Sequence, residues 1–266
     1  MAESTFENRR IALLFDGDNA QASLVEQIIA EVSKYGIISV RRIYGDWTTP
    51  QMNTWKDVLN THAIQPMQQF RYTVGKNATD SALIIDAMDI LHGGNINGFA
   101  IASSDSDYTR LATRIREKGF FVMGIGKLMT PKAFVNACEI FVYTENLVTE
   151  TKKKPAEREA GDTGEKAPPA ELVPLLKSAI DMTAQDDGWA FLGNIGQRLR
   201  QLDPGFDSRT YGFRQLSQLF KAHKDIFEVN QKTTRGGPSQ ITIRVKEPEP
   251  AETPKPRRRR RTKKKE

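Results

Sequence analysis

Ile11-Ala12-Leu13-Leu14-Phe15-Asp16-Gly17-Asp18-Asn19 decides the fold. An apolar run without interruption is followed at once by two acids, a glycine and an asparagine. Such a run, bounded by a turn signal, marks a strand buried on both faces, the kind found in parallel sheets. Ligands of these sheets bind outside the carboxyl ends of the strands. Asp16 therefore falls where α/β proteins carry out chemistry. Phe99-Ala100-Ile101-Ala102-Ser103-Ser104, followed by Asp105-Ser106-Asp107, repeats the form. Two buried strands tipped with acids predict neighbouring strands whose carboxylates make a pocket for a divalent cation.

Working outward, Leu24, Ile28 and Val32 at helical spacing predict a helix over Ala20 to Lys34, ended by Gly36. A strand follows over Ile37 to Tyr44. Pro50 opens a second helix carrying Trp55, Val58 and Leu59. Ala63 to Phe70 reads as a weak strand near an edge, because Pro66 interrupts it. A polar loop precedes a helix over Thr79 to Leu91. Beyond the second acid-tipped strand come a helix (Tyr108 to Lys118), a strand (Phe120 to Ile125), a short helix (Pro131 to Ala137) and a last strand (Glu139 to Tyr143). This alternation over residues 8–146 predicts an open parallel sheet flanked by helices on both faces.

Residues 147–169 are charged, rich in Pro and Gly after Thr149, and poor in large apolar side chains, which predicts a disordered linker. Residues 170–246 read as three helices and a β-hairpin, a small winged helix. Leu172, Leu175, Leu176 and Ala179 mark the first helix and Leu192 to Leu202 the second, which Asp203-Pro204-Gly205-Phe206-Asp207 breaks. Leu216, Leu219 and Phe220 mark the third. Phe227 to Val229 and Ile241 to Val245 form the hairpin. Residues 247–266 read as a disordered basic tail.

Charge separates these parts. The formal net charge is +6 over 266 residues. Residues 1–149 hold 14 basic and 16 acidic side chains, and residues 170–246 hold 11 and 8. The tail from Ala251 holds nine Lys/Arg against two Glu. The basic character belongs to the tail. With one cysteine, Cys138, no intramolecular disulfide or thiolate metal cluster can form, and its apolar surroundings predict a core residue. No apolar stretch reaches membrane-spanning length, and the N-terminus lacks a signal peptide's apolar segment. The expectation is a cytoplasmic protein with no membrane partner.

Residues 8–146 resemble the NYN family, a branch of the PIN-like nucleases, through FDGDN at 15–19, KNATDSALIID at 76–86 and SSDSDY at 103–108. Residues 170–246 resemble the LOTUS (OST-HTH) domain, through DGWAFLGNIGQRLRQLDPGFDSRTYGFRQLSQLF and the hairpin after it. The resemblances imply a metal-dependent ribonuclease, an endoribonuclease by expectation, joined to a winged helix that binds RNA. They also imply guanine-rich or structured RNA, or a protein partner, for the LOTUS domain.

The expected metal is Mg²⁺ or Mn²⁺, held by Asp16, Asp80 and Asp105. Such an ion polarises phosphate and supplies hydroxide at neutral pH, and a few carboxylates suffice because Mg²⁺ keeps several waters. Asp107 and Asn19 complete the expected catalytic set. A bland reading stands beside each: Asp16, Asp107 and Asn19 as helix caps, and Asp80 as a favourable charge at a helix N-terminus. Asp86 lies on a different helix face from Asp80, so a buried structural acid or an outer partner stands as an equal reading beside a ligand. Asp18 reads as an outer group, Asp46 as a strand-end acid outside the site and Lys76 as a solvated loop lysine. His62, His92 and His223 form no motif. In the winged helix, Arg198, Arg209, Arg214, Lys221 and Lys224 are the candidate RNA contacts, Arg200 being a further basic residue beside them, while packing explains Tyr211 and Phe213. The tail can neutralise any polyanion.

Three other functions compete. A non-catalytic RNA-binding adaptor would need a vestigial site, yet Asp16, Asp80 and Asp105 are all present. A haloacid-dehalogenase-like phosphatase would use Asp16 and Asp18 as a D-x-D pair, yet it continues with Gly-Thr where this chain has Asn19-Ala20. A DNA-binding regulator is the third, since winged helices also bind DNA.

Overall fold

The computed structural model describes residues 9–70, 78–152, 172–232 and 240–246. Lys76, most of the expected linker and the basic tail lie outside these residues. Six strands form one parallel sheet: β1 (Arg10–Asp16), β2 (Ile37–Gly45), β3 (Gln65–Gln68), β4 (Gly98–Ala102), β5 (Phe121–Gly126) and β6 (Ile140–Tyr143). Their order is β3-β2-β1-β4-β5-β6. The helices between them are α1 (Val25–Val32), α2 (Lys56–Thr61), α3 (Ala78–His92), α4 (Thr109–Glu117) and α5 (Lys132–Ala137), and α6 (Thr144–Lys152) follows β6.

The alternation of side chains along β1 divides the interior in two. Ala12 and Leu14 face one core with Leu83, Ala87 and Leu91 of α3 and Leu111 and Ile115 of α4. Ile11, Leu13 and Phe15 face the other with Val25, Ile28 and Val32 of α1 and with Trp55. Each large apolar side chain so buried contributes about 1.5–3 kcal/mol, which is why β1 reads as uninterrupted apolar sequence. Pro66 pairs with Ile43 on β3, at the sheet edge, where the missing N–H is tolerated. Cys138 is buried, and burial pushes its thiol up to about 12, so it stays protonated.

Two features differ from the sequence reading. Residues 147–152 are helical, because Leu147 is buried in the second core and Val148 packs against it, so the first unit runs past residue 146. The first helix is also shorter than expected: a 3-10 turn at Ala22–Leu24 precedes α1.

The second unit contains α7 (Leu172–Asp181), β7 (Ala190–Phe191), α8 (Leu192–Leu202), α9 (Leu216–Ala222), β8 (Phe227–Lys232) and β9 (Gln240–Val245). The hairpin β8–β9 is antiparallel, and the short strand β7 joins it at β9, giving the three-stranded sheet of a winged helix. Leu176, Leu199, Phe220, Phe227 and Ile243 centre its core. Tyr211 and Phe213 pack against this core, as expected. Among the described residues, no helix is long and apolar enough to cross a membrane.

Candidate metal centre

The strand order reverses direction between β1 and β4. Their carboxyl ends flank the crevice where open α/β sheets bind ligands. Asp16 closes β1 there, and Ser103, Ser104 and Asp105 follow β4 directly. The turn after β1 is tight. A Cβ on Gly17 would lie 2.6 Å from the Tyr44 carbonyl oxygen, which accepts a 2.9 Å bond from the Gly17 N–H. Glycine therefore lets the chain leave β1 against β2 and keeps Asp16 at the crevice.

Asp16 is fully buried. One carboxylate oxygen accepts from Ser103 Oγ at 2.7 Å and from Asn19 Nδ2 at 2.7 Å. The other accepts from the Asp18 N–H at 3.0 Å. Burial raises its pKa above the usual carboxylate range, and these donors oppose the rise. Ser103 also works in the other direction: its Oγ accepts from the Asp105 N–H at 3.0 Å. One hydroxyl thus ties the end of β1 to the residue that follows β4.

Asp105 caps a 3-10 turn (Ser106–Tyr108) by accepting from the Asp107 N–H at 2.9 Å. That turn leads into α4 and buries Tyr108, whose hydroxyl donates to Asp80 Oδ1 at 2.7 Å. Asp80 sits in the first turn of α3 and reaches the crevice from the other side. Partial burial is the main cause of its raised pKa. Tyr108 opposes it, and Asp16, Asp105 and Asp18 reinforce it. Burial, with Asp16, Asp80 and Asp105 nearby, raises the Tyr108 hydroxyl, so it remains a donor at neutral pH.

Among the described residues, the group of acids able to hold a cation is Asp80, Asp105 and Asp107, with one oxygen of each within 4.8 Å of the others. Asp80 and Asp105 are half-buried and Asp107 is exposed. Hard oxygen donors in this number suit a divalent cation. Asp16, expected among the ligands, is not in this group. It lies beside it and already accepts three hydrogen bonds, two of them on one oxygen. Asp107 joins as a ligand candidate, because the turn capped by Asp105 brings both acids to one side.

The remaining acids have structural partners. Arg42 Nη1 meets both Asp86 oxygens at 2.6 and 2.7 Å, and the Tyr44 hydroxyl also donates to Asp86. Asp86 therefore braces α3 against β2, the structural one of the readings its helix position allowed. Asp46 accepts from Thr48 and Gln68 and shapes the turn after β2. Ser103 and Tyr108 were missed as functional residues. Their position inside SSDSDY was the available signal, but a hydroxyl's partner is invisible in sequence.

The family model for NYN domains matches residues 10–145. The chain belongs to the NYN family. The OST-HTH/LOTUS domain model matches residues 166–238. Among curated proteins no significant match is found. Solved structures with similarity include a protein of unknown function from Vibrio parahaemolyticus, 18% identical, covering 53% of this chain and 95% of that one with a TM-score of 0.43. An uncharacterized protein from Nitrosomonas europaea is 31% identical over 37% of this chain and 91% of its own, with a TM-score of 0.28. A fragment of a Chromobacterium violaceum protein is 37% identical over 31% of this chain and 84% of its own, with a TM-score of 0.24.

In the LOTUS domain the expected RNA contacts separate into two groups. Arg214, Lys221 and Lys224 are exposed, and Arg198 is half-buried and bonds Gln201 at 2.8 Å. Arg209 differs. Its guanidinium pairs with Asp207 at 2.7 Å and with Glu31 of the NYN domain at 3.3 Å, and its side chain is only 16% exposed. A cation held by two carboxylates is a poor contact for phosphate, so geometry sets Arg209 apart from the other four.

Proposed function

We propose that the protein is a metal-dependent ribonuclease, an endoribonuclease, that uses its LOTUS domain to recruit RNA. The observation that carries this reading is the convergence of Asp80, Asp105 and Asp107 within 4.8 Å in the β1/β4 crevice of an NYN domain. Asp80, Asp105 and Asp107 would hold Mg²⁺ or Mn²⁺, which when bound polarises the scissile phosphate and lowers the pKa of water. Tyr108 holds Asp80 in place and leaves one of its oxygens open. Asp16 fixes Ser103 and Asn19, and through Ser103 fixes the backbone of Asp105. Asn19, exposed beside the crevice, can offer its carbonyl oxygen to a water or its amide to phosphate while its Nδ2 stays on Asp16.

The division of labour belongs to the same proposal: catalysis in residues 8–146, extended by α6, RNA capture in residues 170–246, and sequence-independent attraction from the basic tail, joined by residues up to 169. Structured or guanine-rich RNA is the proposed class, with Arg198, Arg214, Lys221 and Lys224 as contacts, in the cytoplasm. The test is incubation of the pure protein with structured and single-stranded RNA, with Mg²⁺, with Mn²⁺ and with chelator. Cleavage that needs metal and yields internal cuts is expected. Binding without cleavage under every metal condition would leave an adaptor. Cleavage indifferent to chelator would overturn the metal assignment.

A further inference from the structure

The NYN sheet has β3 at one edge and β6 at the other, and an exposed edge strand carries unpaired N–H and C=O groups that invite pairing with other chains. Here the Phe141 N–H donates to the Pro204 carbonyl of the LOTUS domain at 2.8 Å. Pro204 belongs to Asp203-Pro204-Gly205-Phe206-Asp207, the turn after α8, and further contacts to the NYN domain come from Gly205 and from the residues that follow. Gly205 is buried so closely that a Cβ would lie 2.7 Å from Tyr143 Oη and 3.2 Å from Val135 Cγ1. Asp207 orients Arg209, which reaches Glu31, 6% exposed, on α1. Beside these, Asn146 Nδ2 on α6 donates to Thr210 Oγ1 at 2.9 Å. Arg200 lies by the half-buried Tyr35 hydroxyl and opposes the rise in pKa that burial causes there.

We infer that the LOTUS domain docks on the β6 edge of its own NYN domain, with the 203–207 turn as the docking element and Arg209 as its latch. The surface is chemically matched on both sides: a carbonyl for the edge N–H, a missing side chain under Tyr143, and a guanidinium for a buried carboxylate that would otherwise have only Lys34. Docking covers the edge and fixes one orientation of the LOTUS domain towards the carboxylate crevice. It does not depend on the nuclease reading, because it concerns contacts away from the metal ligands.

The test is amide hydrogen exchange on the full-length protein, read at Phe141 and, as an internal control, at Met123 in β5. In the parent the Phe141 amide is expected to be protected at all protein concentrations. Gly205→Leu should wedge the domains apart and speed exchange at Phe141 about tenfold, the factor one hydrogen bond sustains, with Met123 unchanged. Glu31→Gln removes the latch from the NYN side, without altering the LOTUS domain's own sequence, and should speed Phe141 severalfold. Exchange of the parent Phe141 at the rate of an open amide would overturn the inference. So would an unchanged rate in both variants. Protection that rises with protein concentration would place the LOTUS domain on a second copy and overturn docking within the chain.

Discussion

β1 and β4 look alike in sequence, each a buried apolar strand ending in two acids, yet their acids have opposite surroundings. Asp16 at the end of β1 is wholly buried and holds three hydrogen bonds. Asp105 beyond β4 is half-exposed and shares its space with Asp80 and Asp107. The difference arises at the next residue. Gly17 turns the chain back against β2, closing over Asp16. The 3-10 turn Ser106–Tyr108 instead carries the chain outward into α4. A carboxylate that already accepts three hydrogen bonds in a buried place is engaged by its frame, whereas carboxylates crowded together at the surface are able to hold a cation.

The largest effect should come from the crowded side. Asp105→Asn and Asp80→Asn are each expected to reduce metal-dependent RNA cleavage by more than about a hundredfold, beyond the 10–100-fold typical of groups that only orient ligands. Initial rates at saturating Mn²⁺ check this. Asp16→Asn and Ser103→Ala should fall in that lower range, about 10–100-fold, and mainly through weaker Mn²⁺ binding measured by calorimetry. A loss for Asp16→Asn as deep as for Asp105→Asn, unrelieved by excess metal, would make Asp16 a ligand and erase the contrast.

A smaller effect concerns pH. Burial holds the Asp80 and Asp16 carboxyls above the usual range. Metal competes with a proton for Asp80, so Mn²⁺ affinity should tighten as pH rises from about 4 towards 7. Stability without metal should move the other way. With raised pKa values the folded state holds more protons than the unfolded one, so stability is fullest below the unfolded value of about 3.9 and declines as pH rises through the folded values. Urea denaturation in chelator at several pH values reads the sign, and Asp80→Asn should flatten the decline.

The smallest effects test the same distinction between engaged and available groups in the LOTUS domain. Arg214→Ala and Lys221→Ala should each lower the slope of log affinity against log salt by about 0.7–0.9 if each side chain meets one phosphate. Arg209→Gln should leave that slope unchanged, since Asp207 and Glu31 already hold its charge. Binding isotherms at several salt concentrations decide between them.

The pattern of apolar residues alone determined much of this protein. Burial on both faces forces a parallel strand to be apolar at every position, so β1, β4 and the flanking helices are legible locally, as is Pro66 at an edge. The family motifs likewise mark which acids stand near the crevice. Only the tertiary structure decided which acids meet. Asp80 and Asp105 are far apart in the chain and converge because Tyr108 reaches across to α3, and Asp86 turns away to Arg42. Sequence periodicity reports which face a residue occupies, while the partner waiting on that face belongs to another element. The same reason hid the role of Arg209: its nearest candidate partner in sequence, Asp207, is local, but Glu31 lies on the other domain. A charge therefore reads as free until the fold supplies the opposite charge that engages it.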